Sequence, residues 1–100
     1  MEQMSECIVS AEHPALAGHF PGSPVVPGVV LLEEVLRVAR AEDAAVSIVG
    51  VDGVKFLRPL LPQQPFTVQL APEHDARWRF ECRLAGERIA IGYLILDGAG

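Results

Sequence analysis

His19-Phe20-Pro21-Gly22-Ser23-Pro24-Val25-Val26-Pro27-Gly28 runs straight into the apolar stretch Val29-Val30-Leu31-Leu32-Glu33. Three prolines and two glycines in its first ten residues leave this loop little freedom, because proline fixes φ and glycine permits turns that other residues resist. A rigid loop feeding a helix N-terminus puts a histidine and a row of backbone N–H groups beside one small volume. Glu33 follows His19 by fourteen residues and is embedded among valines and leucines. A base, an acid and a helix-end amide within fifteen residues are the parts that an elimination needs.

Working outward, the pattern from Gly28 to about Ala41 is helical. Leu31, Leu32, Val35, Leu36, Val38 and Ala39 fill one broad face, with Glu34, Arg37 and Arg40 opposite. Pro27 stands where a helix start tolerates proline. Upstream, residues 6–10 read as a short strand and 11–27 as a loop. Downstream the period becomes two. Residues 46–60 read as a long valine-rich strand in which Gly50 and Gly53 mark a bulge or bend. Phe66, Val68 and Leu70 alternate with Thr67 and Gln69, and Trp78, Phe80, Cys82 and Leu84 alternate with Arg77, Arg79, Glu81 and Arg83. Ile89, Ile91, Tyr93 and Ile95 form one face of a last strand whose other face is also mostly apolar. Ala85-Gly86-Glu87 is short enough for an antiparallel hairpin, and Glu73-His74-Asp75-Ala76 reads as another. One long helix and a run of antiparallel strands make an α+β arrangement with the helix on one sheet face. No repeat or linker interrupts residues 1–100, which are expected to form a single domain.

Half the residues are hydrophobic, which fits either a well-filled core or apolar surface covered by a partner subunit. The net charge of −5 argues against nucleic acid, whose phosphates demand a basic footprint. Residues 1–50 carry seven acids and two arginines, residues 51–100 six acids and six bases. Lys55, Arg58, Arg77, Arg79, Arg83 and Arg88 are either a patch for an acidic carrier protein or the wet face of a sheet. Cys7 and Cys82 lie in apolar runs and read as buried free thiols in a reducing cytosol. No ligand spacing suggests a metal. Residues 1–6 lack a leader's positive start and apolar run, and no stretch approaches the roughly 18 apolar residues of a membrane span. A cytoplasmic protein without a membrane partner is expected.

Taken alone, His19 is either a scaffolded general base or a loop histidine satisfying backbone carbonyls. Glu33 falls at one edge of the apolar face, beside Val29 and Leu36, with Arg37 at i+4 as a possible surface ion-pair partner. Glu34 lies at the other edge, and the helical wheel does not choose between them. Gly28 is either an oxyanion-binding amide that a substrate approaches closely or a flexible helix start. His13 and His74 read as ordinary loop residues.

The run His19-Phe20-Pro21-Gly22-x-Pro24-x-x-Pro27-Gly28, with an acid at Glu33, resembles the FabA/FabZ-type 3-hydroxyacyl-acyl-carrier-protein dehydratases. So do His13-Pro14-Ala15-Leu16-Ala17-Gly18 and Val54-Lys55-Phe56-Leu57-Arg58-Pro59-Leu60-Leu61-Pro62, and the resemblance extends over residues 8–97. Short compact members such as the aryl-polyene pathway dehydratases look closest. The resemblance implies a hot-dog fold, an antiparallel sheet wrapped around one long central helix. It implies that His19 takes the C2 proton of a 3-hydroxyacyl thioester, Glu33 protonates the departing hydroxyl, and the Gly28 amide polarises the carbonyl. Phe20, Val25 and Val26 would line the acyl tunnel. No cofactor is implied. The implied partners are a substrate linked to acyl carrier protein or coenzyme A, and a second subunit in a homodimer or higher even oligomer. Histidine and acid would reach one substrate from opposite subunits, with Glu33 buried at the interface and Glu34 solvated.

The chain departs from the family pattern in places. Ser23 stands where many relatives carry a charge, and Gln63-Gln64 follows Pro62 where a glycine is common, so a reshaped turn is expected. The chain is shorter than the better-known dehydratases and is expected to lack the flanking elements that help cover their tunnel. Two rival readings share the fold: a thioesterase, which needs a carboxylate to activate water but no His-Phe-Pro-Gly loop, and a non-catalytic acyl-carrier-binding subunit.

Overall fold

Alternation decides which side of each strand turns inward, and one sheet collects the apolar sides. The computed structural model describes residues 3–13, 25–74 and 76–97. Its elements are β1 (Gln3–Cys7), α1 (Gly28–Glu42), β2 (Ile48–Phe56), β3 (Phe66–His74), β4 (Arg77–Leu84) and β5 (Glu87–Leu96). The strands form one sheet in the order β1-β3-β4-β5-β2, with every neighbouring pair antiparallel. Helix α1 packs against β1 and β3. This is the single-helix, antiparallel-sheet arrangement that the hot-dog resemblance implies.

The core joins Val30, Leu31, Val35, Val38 and Ala39 of α1 to Phe66, Val68, Leu70, Phe80, Cys82, Ala90 and Leu94 of the sheet. Burying each large side chain contributes about 1.5–3 kcal/mol. Strands β3 and β4 follow the predicted alternation. Strand β5, apolar on both faces in the sequence, turns the Ala90 face inward. Ala90, Gly92, Leu94 and Leu96 are buried, while Ile91, Tyr93 and Ile95 are half-buried on the other face. The reason is Phe80, which pairs with Gly92. Its ring fills the space where a Gly92 Cβ would lie, 2.8 Å from two ring carbons.

The first strand covers Gln3–Cys7 rather than 6–10, and the second ends at Phe56 rather than 60. Beyond Phe56 the Leu57 and Arg58 amides both donate to the Ile89 carbonyl, at 2.8 and 3.3 Å. That doubled bond takes the chain out of the ladder ahead of Pro59. The predicted bulges are present, with register shifts between Ile48 and Gly50 and between Asp52 and Lys55. Gly53 has φ +58°. Ala85 (φ 51°) and Gly86 (φ 85°) close the β4–β5 hairpin with two left-handed residues, the backbone signs of a type I′ turn.

The turn after Pro62 contains no glycine. Gln63 adopts φ 70°, a left-handed conformation that favours glycine. Its amide donates to the Val9 carbonyl at 2.8 Å, and the Gln64 side chain accepts from the Leu61 amide at 3.0 Å.

Both cysteines are buried and free, as expected. Burial pushes the Cys82 thiol up to about 12, and it raises Cys7 as well, against the opposing pull of Arg37. Four of the six bases of the second half pair with carboxylates. Arg58 meets Glu87 at 3.3 Å, Arg77 meets Asp52 at 3.3 Å, and Arg83 and Arg88 share Glu81 at 3.2 and 3.6 Å. The Arg77 guanidinium also lies 4.0 Å over the Tyr93 ring. Such pairing belongs to a solvated sheet face, the second of the two sequence readings.

Candidate active site

Proline builds the head of α1. Pro27 is the N-cap with φ −62° and ψ 147°, and its carbonyl accepts from the Val30 and Leu31 amides at 3.0 and 3.2 Å. No side chain caps this end, and the first turn contains no acid. The partial positive charge of the helix N-terminus is thus uncompensated by any carboxylate of the first turn. One residue earlier, the Val26 amide donates to the Leu60 carbonyl at 2.8 Å. That bond ties the loop to the segment after β2.

Between the two segments lies a groove of about 390 Å³, with Val25–Gly28 and Leu31 on one wall and Phe56–Leu60 on the other. Val25 and Val26 both line this groove, Val26 buried and Val25 at 38 % exposure. Arg58 is the only charged side chain of the lining among the described residues. Gly28 faces this groove, but the space over its Cα is already occupied. A Cβ there would lie 2.7 Å from Cζ of Phe56. The expectation that glycine at this point admits the substrate is corrected in part, since it first admits an aromatic ring. Sequence reasoning gave Phe56 no role, although it stood in the matched Val54–Pro62 segment at the end of a strand.

Glu33 is exposed and borders a separate surface cleft with Leu36, Arg37 and Arg40. Five residues along an α-helix is a rotation of about 140°, so Gly28 and Glu33 leave α1 in different directions. A single chain does not bring them to one pocket among the described residues. The supposed Glu33–Arg37 pair is absent. Arg37 instead bonds Glu34 at 2.9 Å, and its Nη2 also lies 3.7 Å from Cys7 Sγ. The Glu34 side chain is 20 % exposed, so the expectation of a solvated Glu34 is corrected. Contact with β1 draws Arg37 toward Glu34, and Glu33 makes no ion pair among the described residues.

His19 and Phe20 lie outside the described residues. His74, expected in a loop, is the last residue of β3, and its Nδ1 accepts from the Ala76 amide of the following turn at 3.2 Å. A larger cleft of about 690 Å³ lies at the far end of the sheet, near His74, Trp78 and Asp97. Among the described residues, it contains none of the motif. Among the described residues no cluster of His, Cys, Asp and Glu is arranged to hold a metal, and no helix is long and apolar enough to cross a membrane.

Apolar side chains gather at one edge of the sheet. Strand β2 has β5 as its single neighbour. Val49 and Val51 on it are 65 % and 44 % exposed, and Val29 at the head of α1 is 66 % exposed.

Known proteins share this sequence and shape. The FabZ 3-hydroxyacyl-[acyl-carrier-protein] dehydratase of Polynucleobacter necessarius is 36 % identical over 75 residues, covering 67 % of this chain and 50 % of that protein. FabZ of Bartonella henselae is 32 % identical, with 89 % of this chain and 68 % of that protein covered. The chain spans about half the length of the curated relatives it matches first. The dehydratase heterocomplex ApeI:P from Xenorhabdus doucetiae superposes with a TM-score of 0.82 at 26 % identity, over 95 % of this chain and 86 % of that one. These neighbours establish the hot-dog fold. The ApeI-like family, described as ApeI dehydratase, matches residues 2–92. The chain belongs to this family, within the FabA/FabZ-type dehydratases.

Proposed function

We propose that this chain is a hydro-lyase that converts a 3-hydroxyacyl thioester into the trans-2-enoyl thioester and water. The observation that carries the reading is the uncapped head of α1 opening, at Gly28, onto an apolar groove. The Gly28 amide polarises the thioester carbonyl and so acidifies C2. His19, from the loop just before the helix, takes the C2 proton. The electron pair becomes the C2–C3 double bond, the C3–O bond breaks, and Glu33 gives the departing hydroxyl its proton. Val25 and Val26, with Phe20 of the loop, contact the acyl chain. No cofactor takes part.

Glu33 borders a cleft separate from the groove beside Gly28, so the acid that serves a given groove comes from a second subunit. The exposed edge of β2, with Val49 and Val51, and Val29 beside it, are suited to that contact, since long apolar edges need cover. The ApeI:P structure is a heterocomplex; the partner proposed here is a second copy of this chain, as a homodimer or higher even oligomer. The thioester is borne by acyl carrier protein or coenzyme A, in fatty-acid or polyene-like synthesis in the cytoplasm. Residues 1–100 act as one hot-dog domain.

The test is enoyl-thioester absorbance on adding a short 3-hydroxyacyl thioester. The expected result is equilibration with the enoyl product by the wild type. Loss of about 10²-fold or more is expected in His19→Ala and in Glu33→Gln, on the scale of general acid–base catalysis. Release of free thiol without enoyl product would establish a thioesterase instead.

A further inference from the structure

The three nearest neighbours of the Gly28 Cβ position are all atoms of one ring, Phe56 Cζ at 2.7 Å, Cε2 at 2.8 Å and Cε1 at 3.2 Å. The ring therefore meets the helix head end-on, through its tip. Its base is held firmly. Phe56 is the last residue of β2, paired with Ala90, and the next two amides are both bonded to the Ile89 carbonyl. The residue is nevertheless 51 % exposed. A fixed hinge carrying a half-exposed ring can yield to a ligand without disturbing the core.

We propose that Phe56 determines which acyl chains fit beside Gly28, an inference that rests on the thioester reading above. Any chain whose carbonyl reaches the Gly28 amide must lie along this ring or push it aside. The ring shares the groove with Val26, Leu31 and Leu60, and these side chains offer a short chain apolar contact. A short acyl group is held against the ring. A longer or branched one must displace it, and the displacement discriminates against that chain.

The test compares wild type, Phe56→Ala and Phe56→Trp in calorimetric binding of saturated acyl thioesters from butanoyl to decanoyl, which cannot lose water. Turnover of the matching 3-hydroxyacyl series is measured alongside. Phe56→Ala is expected to favour longer chains and to weaken short ones by about fourfold per methylene of lost contact. Phe56→Trp is expected to move the preference the other way. The change should appear chiefly in KM rather than in kcat, because Phe56 touches no reacting atom. An unchanged order of chain-length affinities in both variants would overturn the inference, whatever the turnover shows. A shifted order in a protein without turnover would support the selectivity and refute the dehydratase reading. A wild type that binds no acyl thioester would overturn both.

Discussion

Gly28 and Gly92 each face an aromatic ring at nearly the same closeness, 2.7 and 2.8 Å from the missing Cβ. The rings differ in where they can go. Phe80, above Gly92, is fully buried, and the backbone of Val54 closes the other side at 3.1 Å. Phe56, above Gly28, is half in solvent. Gly92→Ala is therefore expected to cost about 2–3 kcal/mol, the upper range for overpacking, while Gly28→Ala costs about 1 kcal/mol or less. Urea midpoints at equal m would show the difference; equal losses would mean that the Phe56 ring is not free to move. Closeness of this kind was not legible beforehand, since a sequence shows that a residue is glycine but not what presses on it. The choice of acid shows the same limit. Glu33 and Glu34 stand at i−4 and i−3 from Arg37, both within reach. The contact with Cys7, thirty positions away, decided for Glu34.

At the scale of elements, legibility followed pattern strength. Strands β3 and β4 alternate cleanly and fell where the period put them. Strand β5 is apolar on both faces, so its facing depended on the pairing of Gly92 with Phe80. Strand β1 reads Gln3-Met4-Ser5-Glu6-Cys7 and carries little period. Its extent is set by pairing with Phe66–Leu70 of β3, a long-range fact. The β4–β5 hairpin was legible from its length, but its turn has an imperfection. Ala85 occupies a left-handed position at φ 51°, which costs a residue with a Cβ about 1–2 kcal/mol unless its side chain can bond locally. Ala85→Asn is expected to stabilise the protein by about 0.5–1 kcal/mol, read as a rise in Tm. No rise would mean that the turn already relaxes in solution.

At the scale of the molecule, one chain brings together only part of the proposed site. The loop, the helix head and the segment after β2 converge on the groove, tied by the Val26–Leu60 bond. The acid leaves the same helix on another side, bordered by Leu36, Arg37 and Arg40. The motif carried the residues of the site in order along the chain. It did not carry their directions, because direction depends on helix phase and on which edge of the sheet stays open. An open β2 edge with apolar residues beside it answers the second point. On this account the functional unit is a pair of chains, each lending Glu33 to the groove of the other.

The most direct test mixes two inactive variants, His19→Ala and Glu33→Ala, after co-refolding or subunit exchange, and measures enoyl formation. In a symmetric dimer half the particles are then hybrids, each with one intact site, so activity should return to about a quarter of wild type. Hybrid formation is checked by a mass difference between tagged and untagged chains. A mixture that demonstrably contains hybrids and stays as inactive as either variant would contradict a site shared between subunits.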